Sequence, residues 1–201
     1  MKRWIPVALC VLCTMYVDAV RMSAAGQPAN ADASTLSDFK KRLDAYMAVH
    51  NAAEEKVGAL DPTKSPKEIA DRESALGQAI RGGRMNAKPG DVLTPEVARI
   101  FRRIIRTEFA HRSRLALENR EEAQDELPAF TPMVNQIYPT TYPLATFPPA
   151  LLRELPELPK PIEYRLVRQY LILRDSQANL IVDVLPNAAP PMSGLTGSGR
   201  K

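Results

Sequence analysis

Glu163–Leu185 reads EYRLVRQYLILRDSQANLIVDVL, and this stretch decides the fold. Glu163–Val167, Tyr170–Arg174 and Asn179–Leu185 are short runs rich in β-branched, aromatic and leucine side chains, joined by turn-forming residues. Arg168-Gln169 fits a two-residue hairpin turn and Asp175-Ser176-Gln177-Ala178 a four-residue one. The first turn pairs Val167 with Tyr170, Arg165 with Ile172 and Glu163 with Arg174. The second predicts Arg174 opposite Asn179, Ile172 opposite Ile181 and Tyr170 opposite Asp183. In that register one face collects Tyr164, Leu166, Leu171, Leu173, Leu180, Val182 and Val184. The other collects Glu163, Arg165, Arg174 and Asp183 and is expected to meet solvent. A three-stranded antiparallel β-meander over 163–185 follows.

Upstream the period changes from two to three and a half. Leu36, Phe39, Leu43, Tyr46, His50, Ala53, Val57 and Leu60 form a heptad seam, predicting a helix over about 34–60 that packs lengthwise on another. Gln27–Ala33 reads as a flexible lead before it. Ser65-Pro66-Lys67-Glu68 opens a second helix, over about 65–81, ended by Gly82-Gly83; the two should form an antiparallel hairpin. Thr94-Pro95-Glu96 opens a third, and Val97, Ile100, Phe101, Ile104, Ile105 and Phe109 give it an apolar stripe. No breaker intervenes before Leu127-Pro128, so that helix is expected over 94–126. Prolines recur over 128–161 and favour extended segments, with one short helical turn near Phe147–Arg153. The Pro, Gly, Ser and Thr residues over 187–201 have the composition of a disordered tail. The fold class is α+β, with a single domain over 27–186.

The N-terminus reads as a secretory signal peptide over 1–26. Lys2 and Arg3 precede an uncharged apolar run from Trp4 to Val17, too short for a spanning helix of roughly 20 residues, and Ser23-Ala24-Ala25-Gly26 gives a small-residue exit. Cys10 and Cys13 leave with it, each preceded by a leucine rather than the small residue that lipidation requires. The mature chain is then cysteine-free, and its fold rests on a hydrophobic core without disulfides. Its localisation is expected to be periplasmic or extracellular, with no transmembrane helix in the mature chain. The net charge of +4 falls to about half once Lys2, Arg3, Arg21 and Asp18 are removed, so nothing points to nucleic acid.

From Leu155 the run LPELPKPIEYRLVRQYLILRDSQANLIVDVLP resembles a family of exported bacterial proteins of unknown function. That family is marked by an LPxLP pair followed by YR, LRD and ANLIVD strands. GDVLTPEVARIFRRIIR from Gly90, and the Tyr138-Pro139 and Tyr142-Pro143 pairs, look like its other blocks. The resemblance covers roughly 90–190 and implies domain unity and export, without an activity. Arg168 departs from it, standing where a glycine is expected in the first hairpin turn.

Candidate chemistry is sparse. Glu108 and His111 have the Glu-x-x-His spacing of di-iron bundles, but no second such pair exists. His50 on the heptad seam reads as a packed, hydrogen-bonded core histidine, with a ligating or pH-sensing role as the alternative. Asp175, Asn179 and Asp183 invite comparison with oxygen ligands for a hard cation; turn chemistry plus a solvated strand face is the plainer reading. Arg99, Arg102, Arg103 and Arg106 line the polar side of the third helix and could meet an acidic partner, or simply water. No nucleotide-binding, nucleophile-elbow or zinc-protease motif occurs. Catalytic, cofactor-binding and metal residues are therefore expected to be none, and no cofactor is implied. The sequence favours a non-catalytic binding or structural protein of the periplasm or cell envelope, with another envelope protein as the expected class of partner. The alternative is a hydrolase-like enzyme whose dispersed site lies on the proline-rich segment, around Asn135, Gln136, Tyr138 and Tyr142.

Overall fold

The computed structural model describes residues 27–59, 65–112 and 130–190. Residues 1–26, where a signal peptide is expected, the stretch 113–129 and residues 191–201 lie outside the described residues. Among the described residues four helices precede a three-stranded sheet: α1 (Gln27–Val57), α2 (Pro66–Gly83), α3 (Pro95–Ala110), α4 (Pro149–Glu154), then β1 (Ile162–Val167), β2 (Tyr170–Asp175) and β3 (Leu180–Leu185). The fold is α+β, with antiparallel strands in the order β1-β2-β3.

The seam of α1 is buried as its heptads require: Phe39, Leu43, Tyr46, His50 and Ala53 all face the interior. α1 starts at Gln27, however, so the expected flexible lead is its first two turns. Alanines at 29, 31 and 33 favour helix, and Asp32 bonds Arg103 of α3. The helix stops at Val57, short of the expected 60, because Gly58 takes a φ of +82° and its N–H closes onto Glu54 O at 2.9 Å. α2 returns alongside. Arg72 meets Glu54 near the connection and Gly83 lies against Val49 farther along, as antiparallel helices demand.

Both proline-led helix starts are capped as their sequences predict. Ser65 Oγ accepts from Glu68 N and Thr94 Oγ1 from Val97 N. α3 ends at Ala110, where the His111 N–H turns back onto Glu108 O and Phe109 O; the expected continuation over 113–126 lies outside the described residues. The short helical turn expected near 147–153 is α4.

The core lies between the helices and one face of the sheet. Phe39 meets Phe101 edge-on at 5.3 Å, Phe101 meets Tyr164 at 6.0 Å, and Phe147 stacks on Tyr164 at 5.8 Å. The β1–β2 register is the predicted one, with Glu163 opposite Arg174 and Val167 opposite Tyr170. Arg168 holds the turn at a φ of +52°, a conformation that glycine adopts more readily.

The β2–β3 register differs from expectation. Asp175 faces Leu180 and Arg174 faces Ile181, two residues beyond the expected Asn179, because the turn starts one residue later than expected; Leu173 then faces Asp183, leaving Val182 as the extra residue of a bulge. The bulge exchanges sides for everything after it. Val184 moves to the face of Ile172 and Ile181, while Asp183 turns toward the helices and is fully buried.

The second sheet face is not solvated. Phe130, Val134, Tyr138 and Tyr142 from the proline-rich segment cover it, packing on Val167, Ile172, Ile181 and Val184. That segment runs along β3, with Asn135 N donating to Ile181 O, Ile181 N to Gln136 O and Tyr138 N to Asn179 O. Arg174 and Asn179 are consequently buried beneath it. The first residues of the expected tail also pack: Ala188 and Ala189 are buried and donate to Gln169 O.

Candidate functional site

Asp175 is the last residue of β2, where the chain leaves the sheet for a tight turn. Its Oδ1 accepts from Gln177 N and Ala178 N at 3.0 Å each, an aspartate turn that shapes the connection to β3. Its Oδ2 reaches α1, accepting from the Tyr46 hydroxyl at 2.7 Å and meeting His50 Nδ1 at 2.6 Å. Tyr46 and His50 stand four apart on the heptad seam, so a helix presents both to one point. Asp175 is 0 % exposed and His50 2 %.

The chemistry of this cluster follows from burial. Burial, and then the Asp175 charge, push the Tyr46 phenol far above its ordinary range, so it stays protonated and donates. With a carboxylate oxygen as its neighbour, His50 Nδ1 carries a proton. His50 Nε2 faces Glu54 Oε2 at 3.9 Å, beyond hydrogen-bond reach, while Glu54 Oε1 accepts from Arg72 at 2.9 Å. On the opposite side the Arg84 guanidinium lies over the Tyr46 ring, 4.9 Å from its centre. Arg84 also donates to Val182 O and Asn135 Oδ1, and burial lowers its pKa.

Asp183 forms a second buried centre. Oδ2 accepts from Val92 N and Leu93 N at 2.8 Å, while Oδ1 accepts from Gly90 N at 3.0 Å and Val184 N at 2.7 Å. The carboxylate thus holds the α2–α3 loop against β3 through three loop amides, and the adjacent Val184 amide completes its shell. A third centre lies on the other sheet face. Arg174 donates to Asn179 Oδ1 and to Glu163 Oε1, and Arg165 donates to both Glu163 oxygens. Burial pushes the Glu163 carboxyl up, but the bonds from Arg165 and Arg174 outweigh it and hold the group below its ordinary range.

The residues singled out in the sequence are therefore divided. His50 is the hydrogen-bonded core histidine expected. Asp175 does the turn chemistry expected of it, but inside the protein rather than on a solvated face. Asp183 and Asn179 are separated by the bulge, Asp183 serving the loop and Asn179 serving Arg174 and Tyr138 O. Glu108 bonds Arg112 and does not meet a second histidine. Among the described residues no three His, Asp or Glu side chains gather as metal ligands. Arg102 donates to Pro186 O and Arg103 to Asp32, so part of the arginine face is used within the fold. Tyr138 and Tyr142 are core residues; burial pushes the Tyr138 phenol up to about 12. Asn135 bonds Arg84, and Gln136 Oε1 accepts from Met133 N. The proline-rich segment thus spends these side chains on covering the sheet.

Two open grooves flank this interior. One, of about 480 Å³, lies between Gln78, Gly82 and Met85 at the end of α2 and Val134-Asn135 of the covering segment. The other, of about 440 Å³, is lined by Glu54 and Ala59 at the end of α1, Ile69, Arg72 and Glu73 of α2, and Ser176-Gln177 of the β2–β3 turn. Sequence reasoning did not find the second groove, because its walls come from three segments whose closeness no local pattern reveals. No protein-family model matches the chain, and no curated protein or solved structure matches it.

Proposed function

We propose that the chain is an exported protein of the periplasm or cell envelope that acts by binding or as a structural element, not by catalysis. The observation that carries this reading is how the buried acids are used. Asp175 and Asp183 are withdrawn from solvent and take eight polar contacts between them from the β2–β3 turn, α1, the α2–α3 loop and the neighbouring Val184 amide. A general acid or base must reach a substrate proton. Carboxylates so enclosed instead fix the relative positions of elements. The hydrolase alternative loses support for the same reason, since Tyr138 and Tyr142 of the proline-rich segment pack inward on the sheet.

The export half of the reading rests on the sequence: a basic start, an apolar run and a small-residue exit ending at Gly26. Cleavage after Ala25 or Gly26 would keep α1 as described, Gln27–Val57, in the mature chain. Among the described residues no helix is long and apolar enough to cross a membrane. The resemblance to exported bacterial proteins supports the same placement and names no activity. Fractionation of cells expressing the full chain tests the proposal: the processed protein should appear in the periplasmic or envelope fraction. A full-length chain confined to the cytoplasm would refute it.

A further inference from the structure

We propose that the chain forms a two-fold symmetric dimer through α2 and the covering segment, with the α2 helices of the two copies side by side and antiparallel. This goes beyond the binding reading above and does not depend on export. Among the described residues six large apolar side chains are exposed. Four of them belong to α2, the turn after it and the segment that packs on it: Ile69, Met85, Met133 and Ile137. Exposed apolar side chains gathered in this way mark a surface that meets another chain.

The surface is complementary to itself. The two grooves lie toward opposite ends of α2, and Ile137 Cδ1 lies against Gly77 between them. In the groove toward the N-terminal end Arg72 is engaged by Glu54, which leaves Glu73 as the unpaired acid beside Ile69. In the other groove Arg81 is the one charged side chain among the described residues, beside Met85. Neither the Glu73 carboxylate nor the Arg81 guanidinium has a partner among the described residues. Glu73 and Arg81 each stand four residues from Gly77, and Ile69 and Met85 each eight. A second copy turned about a two-fold axis at Ile137 therefore brings its Arg81 to Glu73 and its Met85 to Ile69, and the same two contacts recur in reverse. Parallel pairing would set Glu73 against Glu73 and Arg81 against Arg81, so the charges select the antiparallel arrangement. Exposed ion pairs add little affinity; the apolar side chains supply it, and the charges fix the register. A head-to-tail contact would leave one groove open at each end and extend without limit, whereas equal spacing about Ile137 closes the assembly at two chains.

Sedimentation equilibrium of the protein purified from cells expressing the full chain tests this. The expected result is a monomer–dimer equilibrium with a Kd on the order of micromolar. Glu73→Arg and Arg81→Glu each oppose like charges at two places, and each should weaken the dimer about tenfold or more. Mixed together, the two variants should restore it, because every contact in the heterodimer again joins opposite charges. Met85→Gln, at a side chain 82 % exposed, should weaken association without altering any charge. Melting curves of each variant separate lost association from lost structure. A chain still monomeric at about 200 µM, single reversals that leave the Kd unchanged, a mixture no more associated than its components, or masses that grow past two chains would each overturn the proposal. Cell fractionation is independent of mass, so a monomer would leave the export reading standing.

Discussion

Replacing Asp183 by alanine removes the acceptor for Gly90, Val92, Leu93 and Val184 N–H in one step. Val92 and Leu93 are buried, so water cannot take over their amides without opening the loop. At about 1–3 kcal/mol for each buried donor left unpaired, these two alone place the loss at roughly 2–6 kcal/mol. A domain of this kind has only about 5–15 kcal/mol in hand, so the variant should unfold at a clearly lower urea concentration with an unchanged slope. Hydrogen exchange localises the effect: the Val92 and Leu93 amides should lose protection before those of β1. Asp183→Asn keeps one acceptor oxygen and should fall between the two. If Asp183 did not hold these loop amides, its removal would leave Val92 and Leu93 paired as before and would cost within about 0.5 kcal/mol. A measured loss that small would refute the role given to Asp183.

The Tyr46–His50–Asp175 cluster predicts that Asp175→Ala costs about 3–5 kcal/mol, since a charge-bearing buried partner is lost. A double-mutant cycle with Tyr46→Phe should return a coupling of about 0.5–3 kcal/mol; additive losses would mean the hydroxyl–carboxylate bond contributes nothing. Gly77→Ala should destabilise by about 1–3 kcal/mol in thermal melts, because a Cβ there would meet Ala178 O at 3.0 Å and Ile137 Cδ1 at 3.1 Å; an unchanged midpoint would argue against the close approach of α2 to the turn. Glu163 has its folded pKa depressed, so its contribution is present above the unfolded value near 4.3 and is lost as pH falls through the folded one. Glu163→Gln should therefore flatten the acid side of the stability–pH curve below about pH 4.3, and a curve parallel to the parent's would contradict the pairing with Arg165 and Arg174.

What the sequence disclosed was whatever local periodicity encodes. The α1 seam, the proline-led starts of α2 and α3, and the first hairpin all rest on residues adjacent in the chain. The second hairpin failed twice: the turn spans 176–179 rather than 175–178, which moves Arg174 from Asn179 to Ile181, and a bulge follows. A bulge inserts Val182 without any change of composition, and inside Leu180–Leu185 only the lone charge of Asp183 hinted that something other than alternation was at work. The covered second face was hidden because prolines erase the period-two signal that would have marked the segment 130–147 as sheet-following. His50 was recognisable as a core histidine from its heptad position, but Asp175 lies 125 residues away and no spacing rule connects them. The same distance hid the groove, whose walls meet only because the β2–β3 turn docks between α1 and α2.

Export is the claim on which the account of function turns, and mass spectrometry of the protein recovered from cells expressing the full chain tests it most directly. The account predicts a mature N-terminus between Val20 and Gln27, with Cys10 and Cys13 absent and the protein in the periplasmic or extracellular fraction. An intact chain beginning at Met1 and recovered from the soluble cytoplasm would contradict it.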